Sequence, residues 1–273
     1  MLLLSDTPPE VKRVLVEIYR QMPPARKWEL MGEIFHTGKT LHAAGYRRDH
    51  PNASADELQS AWLAITVKRD WSGPVGSQTM NSTDENLRVL REVISALTQL
   101  NITYVLGGSW ASSLLGEPRF TQDADLSVEP FHGKEKALCA SFSSDYYLSL
   151  EAIQSALQNR SSFNIINLTV GFKVDVFIQK QRPFDRSFMS RRRPLELPNF
   201  PKQPIAVVTP EDIVLLKLEW FRIGGEISDQ QWRDVLGVLE AQAGKLDEGY
   251  LDYWAGQLNV TDLLTRARQQ IRA

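Results

Sequence analysis

The feature that most constrains the fold is a pair of short segments in which charged and apolar residues alternate. The first segment reads Asp123-Ala-Asp-Leu-Ser-Val128, and the second reads Phe172-Lys-Val-Asp-Val-Phe-Ile178. Alternation with a period of two predicts β-strands, because successive side chains point to opposite faces. An apolar run at 163–170 precedes the second segment, and Gly171 between them predicts a β-hairpin. Both segments are therefore expected to lie on adjacent strands of one sheet.

Three aspartates in these strands are candidate functional residues. Asp123 and Asp125 are two positions apart, so in a strand they share a face at a spacing of about 6.5 Å. Carboxylates at that spacing repel each other, and bound cations remove the cost. Asp175 lies on the polar face of its own strand, where it is either a salt-bridge partner of Lys173 or a third carboxylate of the same site. The alternative for Asp123 and Asp125 is a solvated edge strand or a helix N-cap.

A glycine turn, Gly107-Gly108-Ser109, stands between an apolar strand at 102–106 and a helix at 109–115. Glycine lets the backbone approach a ligand closely, and the N–H groups at a helix N-terminus favour phosphate. Ser109 can instead cap the helix, and Gly-Gly-Ser also occurs in ordinary turns. Carboxylates suit hard cations such as Mg²⁺, so together with the three aspartates the turn predicts a two-metal site for phosphoryl or nucleotidyl transfer.

The spacing of these motifs resembles that of a known enzyme family. Gly107-Gly108-Ser109, followed by Gly116-Glu-Pro-Arg-Phe-Thr-Gln-Asp-Ala-Asp125, is similar to the signature of the nucleotidyltransferase (polymerase-beta-like) superfamily, in its AbiEii/AbiGii-type toxin-like branch. The helical segment from Pro210 to Asp234 also resembles that branch. The resemblance implies an α/β (α+β) fold with a small mixed β-sheet core flanked by helices. It also implies transfer of a nucleoside monophosphate from an NTP to a hydroxyl acceptor.

The resemblance further implies a role for each candidate residue. The expected cofactor is Mg²⁺, with two ions held by the expected catalytic residues Asp123, Asp125 and Asp175. The expected nucleotide-binding residues are Gly107, Gly108, Ser109, Arg119, Thr121, Lys217 and Asp234. Arg119 is open to a second interpretation, in which it holds Asp123 or a loop in place instead of clamping the triphosphate.

Helical and mixed segments alternate along the chain and predict its organisation. The expected parts are an N-terminal helical domain at 1–72, a linker at 73–83, the nucleotidyltransferase core at 84–208 and a helical C-terminal region at 209–273. Ser54 and Glu57 form a predicted capping box at the start of the third helix. The Arg- and Pro-rich stretch at 180–203 is expected to be a loop. Trp220, Trp232 and Trp254 lie on helical stripes and are expected in the core.

Composition narrows the class of protein further. The chain has 273 residues, a net charge of −2 and a single cysteine, Cys139, which excludes an intrachain disulfide framework. No apolar run reaches the ~20 residues that a membrane span needs. The apolar start at 1–4 is too short for the core of a signal peptide. We therefore expect a cytoplasmic protein without a membrane partner.

The sequence leaves the acceptor open. Residues 172–202 carry eight basic and three acidic side chains, a net charge of +5, which favours RNA or tRNA but is also typical of a solvated surface. Protein and small-molecule (antibiotic) acceptors are alternatives, and the branch implies a toxin–antitoxin or defence-like role. The other hypothesis is a catalytically idle regulatory protein that binds a protein partner through its N-terminal helices. A hydrolase is disfavoured because the last histidine, His132, comes too early for a Ser-Asp-His order.

Overall fold

Two units, each with helices and strands, make up the part of the chain that a computed structural model describes, which is residues 9–66, 85–119, 121, 123–196 and 204–272. The first unit comprises the described residues of 1–29, 107–119 and 186–273. The second unit comprises those of 30–106 and 120–185. Residues of the predicted N-terminal helical domain thus belong to both units, while the predicted linker at 73–83 lies outside the described residues.

Within the described residues, helices and strands alternate in the middle, and helices come first and last. The helices are α1 (Pro9–Gln21), α2 (Pro24–Asp49), α3 (Ala55–Thr66), α4 (Glu85–Gln99), α5 (Gly108–Leu115), α6 (Glu135–Ala140), α7 (Leu150–Asn159), α8 (Pro183–Arg191), α9 (Pro210–Ile223), α10 (Asp229–Ala241), α11 (Glu248–Gln257) and α12 (Thr261–Arg272). The strands are β1 (Tyr104–Leu106), β2 (Asp123–Val128), β3 (Tyr146–Tyr147), β4 (Ser162–Asn167), β5 (Phe172–Ile178), β6 (Arg193–Leu195) and β7 (Ile205–Val207). No helix in the described ranges is both long enough and apolar enough to cross a membrane.

Five neighbouring strands, in the order β3-β4-β5-β2-β1, form the sheet of the second unit. β2 and β5 are parallel, whereas the other neighbouring pairs are antiparallel. The apolar side chains of the parallel pair are buried, and they are Ala124, Leu126, Val128, Val174, Val176 and Ile178. Slipping either strand by one residue would exchange this buried set for the charged residues between them. Burial of the apolar face therefore fixes the register of β2 against β5.

Local sequence signals agree with the structure at several elements. β2 and β5 begin and end at the residues that their alternation predicts. The capping box is confirmed, because the Ser54 amide donates to Glu57 Oε2 at 2.8 Å and the Glu57 amide donates to Ser54 Oγ at 3.2 Å. Phe35 packs edge-on against Trp62 and Phe172 in the second unit, with ring centroids 5.4 and 6.4 Å apart. The α/β fold class is thus confirmed for the described residues.

Two local predictions were wrong. The stretch at 180–203 contains α8 and β6, because α8 buries an apolar stripe of Phe184, Phe188 and Met189 that the surrounding charged residues hide in the sequence. Trp232 is buried as expected, but Trp220 is 47% exposed. A tryptophan on a helical stripe is therefore not enough to assign a core position.

A buried ion-pair network joins α8, α9 and α11 in the first unit. Arg191 donates from Nη2 to Glu211 Oε2 at 3.1 Å, and its guanidinium lies 3.8 Å from the ring centroid of Tyr250. Asp212 is fully buried and accepts hydrogen bonds from the Tyr250 hydroxyl at 2.6 Å and from Thr209 Oγ1 at 2.7 Å. Burial raises the pKa of the Asp212 carboxyl in spite of these hydrogen bonds. Arg191 Nε lies 3.6 Å from Asp212, so this arginine supports two buried carboxylates.

Lys27 is a buried cation in the first unit. Lys27 is only 3% exposed, and its Nζ donates to the carbonyl oxygen of Gly116 at 2.7 Å. Burial, with the charge of Lys245 as a second cause, lowers the pKa of Lys27 from 10.5 to about 8. The unfolded chain therefore binds this proton more tightly than the folded chain does. It follows that this group makes the protein more stable as the pH rises from about 8 to 10.5.

Lys27→Met is expected to remove this pH dependence, because methionine keeps most of the volume without the charge. Between about pH 7.5 and 9.5 the native chain should gain on the order of 1–2 kcal/mol of unfolding free energy from Lys27, and the variant should not. Urea unfolding at both pH values measures the difference. Lys136→Met, at an exposed position, is the matched control and should keep the native slope. A Lys27→Met variant with the native slope would contradict the assignment.

Candidate functional site

Three predicted metal ligands lie on one face of the parallel pair β2–β5. In the register of the two strands, Asp125 is opposite Asp175 and Asp123 is opposite Lys173. Partners in a parallel ladder point to the same side of the sheet, so these four charged side chains form one polar face, which we call the carboxylate face. The structure thus brings together Asp123, Asp125 and Asp175, although they come from segments about 50 positions apart in the chain.

Lys173 forms ion pairs within the carboxylate face. Its Nζ lies 2.5 Å from Asp175 Oδ2 and 3.5 Å from Asp123 Oδ2. Burial alone would lower the pKa of the Lys173 ammonium, but the hydrogen bond and charge of Asp175, together with Asp123, raise it above the ordinary value. Asp175 is thus paired with Lys173 and also shares a face with Asp123 and Asp125, while its role as a third carboxylate of a metal site stays a prediction.

The donor chemistry of the carboxylate face suits a hard divalent cation. Three carboxylates supply the oxygen ligands that Mg²⁺ prefers, and with one ammonium they leave a net charge of −2 on the face. Within the described ranges, no group of three or more His, Cys, Asp or Glu side chains is arranged to hold a metal ion. The residues thus fit Mg²⁺ by donor type, while in this arrangement the Lys173 ammonium contacts two of the three carboxylates.

A second polar group, the Asp234 cluster, lies in the first unit and consists of Ser109, Arg119, Lys217, Gln230 and Asp234. Arg119 binds both carboxylate oxygens of Asp234, from Nε at 2.7 Å and from Nη2 at 2.8 Å. Lys217 Nζ donates to Asp234 Oδ2 at 2.8 Å, and Arg119 Nη2 also donates to Ser109 Oγ at 2.7 Å. Two cations and one carboxylate give the cluster a net charge of +1. Four residues that sequence reasoning assigned to nucleotide binding are therefore in contact.

Asp234 is the anchor of this cluster. Its side chain is 5% exposed, and burial alone would raise the pKa of the carboxyl. The hydrogen bond from Arg119 and the charges of Lys217 and Arg119 nevertheless lower the pKa below its ordinary value. The carboxyl is therefore ionised at neutral pH. Its contribution to stability is fully present above about pH 4 and is lost as the pH falls through the lowered native pKa.

The glycine turn directly precedes α5, which begins at Gly108. Gly108 has a φ of +54°, a left-handed conformation that glycine adopts without strain. No side chain caps the N-terminus of α5, so Ser109 does not form the cap that the sequence suggested and accepts from Arg119 instead. The N–H groups at the start of α5 are therefore not capped by a described side chain, and a phosphate-binding role for Gly107-Gly108-Ser109 stays a prediction.

Gly116, at the C-terminal end of α5, allows the chain to approach α10 closely. A Cβ atom on Gly116 would lie 2.8 Å from the backbone nitrogen of Val238 and 2.9 Å from the carbonyl carbon of Gly237. Such distances leave no room for any other residue at position 116 without a backbone shift. This close approach places the segment that carries Arg119 beside the helix that carries Asp234.

Thr121, unlike the charged nucleotide-binding candidates, contacts a main-chain carbonyl group. It is buried, and its Oγ1 donates to the carbonyl oxygen of Asp123 at 3.0 Å, at the start of β2. This hydrogen bond supports the backbone of the first aspartate. A role for Thr121 in nucleotide binding stays a prediction.

Sequence reasoning missed one member of the Asp234 cluster. With its amide oxygen oriented toward Arg119, Gln230 accepts from Nη1 at 2.7 Å and from Nη2 at 3.1 Å. Gln230 precedes Asp234 by four residues on α10, so both lie on the same face of that helix. This spacing was the signal that could have identified it, once Asp234 was a candidate.

Comparison with models of protein families and with curated proteins gives no match. Among solved structures, the chain is similar to an antigenic nucleotidyltransferase-like protein from Paracoccidioides brasiliensis, with 22% identity, coverage of 71% of this chain and 94% of that chain, and a TM-score of 0.43. It is also similar to the antibiotic-resistance factor ANT(2'')-Ia in a solution structure, with 13% identity, coverage of 70% and 99%, and a TM-score of 0.41. A crystal structure of ANT(2'')-Ia in complex with adenylyl-2''-tobramycin gives 14% identity, coverage of 63% and 96%, and a TM-score of 0.36. With TM-scores this low, the function is inferred from the chain's own residues.

Proposed function

We propose that the chain is an Mg²⁺-dependent nucleotidyltransferase that moves a nucleoside monophosphate from an NTP to a hydroxyl acceptor. The observation that carries the proposal is the carboxylate face, in which Asp125 and Asp175 are directly opposite each other and Asp123 lies on the same side. Three carboxylates with one ammonium leave a net charge of −2 on neighbouring strands, and a strand pair with only a structural role gains nothing from that excess of negative charge. Cation binding is the chemistry that makes such an arrangement useful.

Each of the two polar groups, taken within its own unit, is assigned a role from its own chemistry. Asp123, Asp125 and Asp175 are the residues that would hold Mg²⁺, which when bound activates the acceptor hydroxyl and offsets the charge of the triphosphate. The Asp234 cluster has a net positive charge, and it includes Ser109 at the start of α5, where helix N–H groups also favour phosphate. We assign Gly107, Gly108 and Ser109 to phosphate binding on this basis.

Arg119 and Lys217 are assigned to phosphate binding, and Asp234 is assigned to positioning them. The bidentate pair with Asp234 fixes the plane of the Arg119 guanidinium before any substrate binds. Lys217 is fixed by the same carboxylate. Side chains that are already ordered lose less conformational entropy when a ligand binds, which favours tight binding of the triphosphate.

RNA or tRNA is the acceptor that we propose. Fewer basic side chains are available for it than the charge of residues 172–202 suggested, because several are already paired with carboxylates. Lys173, Arg182 and Arg191 are paired with Asp175, Asp185 and Glu211. Arg192 and Arg193 are exposed and adjacent directly after α8, where they can contact a phosphate backbone. The toxin–antitoxin or defence-like role and a protein partner for the N-terminal helices stay predictions.

The proposal is tested by asking what acquires label from a nucleotide. The full chain is incubated with Mg²⁺ and each α-³²P-labelled NTP, together with total cellular RNA, a protein extract or a mixture of aminoglycosides. We expect label in RNA and release of pyrophosphate, both abolished by EDTA. Label in protein or in an aminoglycoside would keep the transferase and replace the acceptor.

Calorimetry with a non-hydrolysable NTP separates the enzyme from the idle alternative. The transferase should bind the nucleotide in an Mg²⁺-dependent manner and also transfer label. Binding without transfer to any of the three acceptor pools would favour a regulatory protein. Neither binding nor transfer would overturn the proposed function.

A further inference from the structure

The carboxylate face contains its own cation. Lys173 and Asp175 are two residues apart on β5, so their side chains are on the same side of the strand. The Lys173 ammonium reaches both Asp175 on its own strand and Asp123 on the neighbouring strand, at 2.5 and 3.5 Å. A single positive group therefore bridges the carboxylates of two strands. This is also what a shared metal ion at this face would do.

The bridge is stronger than an ordinary surface ion pair. The Lys173 and Asp175 side chains are only 13% and 16% exposed, so water and salt screen their interaction weakly. Both partners also extend from a strand that is hydrogen-bonded on its two sides, by β4 and by β2. Little backbone movement is available to separate them, so the contact is broken by side-chain rotation, for which the long Lys173 side chain has the most freedom.

We propose that Lys173 is a built-in counter-ion that balances the carboxylate face while no metal is bound and weakens metal binding to the free protein. Two cations that share the same carboxylate oxygens lie a few ångströms apart and repel each other strongly in partly buried surroundings. Lys173 must therefore withdraw when a divalent cation binds, and the loss of its two contacts opposes binding. This inference rests on the proposed function, since it takes Asp123, Asp125 and Asp175 as the metal ligands.

The arrangement of the aspartates is explained by the same inference. No three acidic side chains in the described part of the chain are ready to hold an ion, although three share one face. An ammonium that draws Asp175 and Asp123 toward itself produces this result. Lys173 is thus a positioning residue, which sets the metal affinity of the site without being a metal ligand.

The test measures Mn²⁺ binding to the full chain in the absence of nucleotide, by the loss of the electron paramagnetic resonance signal of free Mn²⁺. Lys173→Met should bind Mn²⁺ at least about tenfold more tightly than the native chain, because the competing charge is gone. Adding Asp175→Asn to that variant should abolish the gain. Thermal unfolding with and without Mn²⁺ provides a second readout, in which Lys173→Met should be stabilised by the metal more than the native chain.

Two further variants separate failure of the counter-ion role from failure of the proposed metal role. Lys173→Arg keeps the charge and should bind Mn²⁺ as weakly as the native chain, while Lys136→Met removes an exposed lysine and should change nothing. Equal Mn²⁺ affinity in the native chain, Lys173→Met and Lys173→Arg would overturn the counter-ion role and leave the proposed function standing. Absence of Mn²⁺ binding in every variant would overturn the metal role in the proposed function, and the counter-ion role with it.

Discussion

Asp175→Asn is expected to abolish nucleotidyl transfer while the protein stays folded. Asparagine keeps the size of the side chain but removes one of the three charges that the carboxylate face offers to a cation. Loss of a single group that stabilises transition-state charge costs on the order of 10²–10³ in rate, and loss of a metal ligand should cost at least that much. Transfer of label from an α-³²P-labelled NTP measures the effect.

The fold of this variant should be preserved because Lys173 keeps Asp123 as a partner. We expect the free energy of unfolding to fall by on the order of 1.5–3 kcal/mol, because a charge-assisted hydrogen bond between half-buried groups is lost. Asp145→Asn is the matched control, since Asp145 is exposed in the same unit, and it should transfer label at the native rate. Native activity in Asp175→Asn would exclude the carboxylate face as the catalytic site.

Arg191→Ala is expected to destabilise the protein by about 3–5 kcal/mol, the typical cost of leaving a buried carboxylate without its partner. Glu211 and Asp212 are both buried, and Arg191 is the cation that lies against both of them. The substitution also removes the guanidinium that stacks on the Tyr250 ring. Chemical unfolding at neutral pH measures the loss of stability.

Arg192→Ala is the control for Arg191, because the next arginine is exposed and donates only to the carbonyl oxygen of Met189 in the contacts described. It should change the unfolding free energy by no more than about 0.5 kcal/mol. An RNA contact in this stretch is therefore tested through Arg192 and Arg193, with Arg191 left intact. Equal stability losses in Arg191→Ala and Arg192→Ala would contradict the network.

The carboxylate face shows what a local pattern can predict. Alternation around Asp123 and Asp175 fixes which side chains share a face of each strand, and this gave the bounds of β2 and β5. It does not state whether the strands are parallel or which residues are opposite each other. That information depends on contacts about 50 positions apart in the chain, and only the structure shows that Asp125 is opposite Asp175.

The Asp234 cluster and the Arg191 network show where such patterns fail. Arg119 and Asp234 are separated by 115 positions, so their bidentate pair has no local signature. The charge run that contains Arg191 predicted a solvated or phosphate-binding loop because the sequence does not show that Glu211 and Asp212 are buried against it. Net charge along a segment counts ionic groups but says nothing about which of them are already neutralised.

The position of β2 and β5 in the sheet has a consequence for how this face can change. β5 lies between β2 and β4, so the main chain at Lys173 and Asp175 is paired on both edges. β1 pairs with β2 only at 126–128, and Asp123 and Asp125 pair with β5 alone. Substitutions on the polar side of β5 are therefore expected to alter ligand chemistry without a change in the backbone. Histidines in place of two carboxylates, for instance, would offer a zinc-preferring donor set on an unchanged framework.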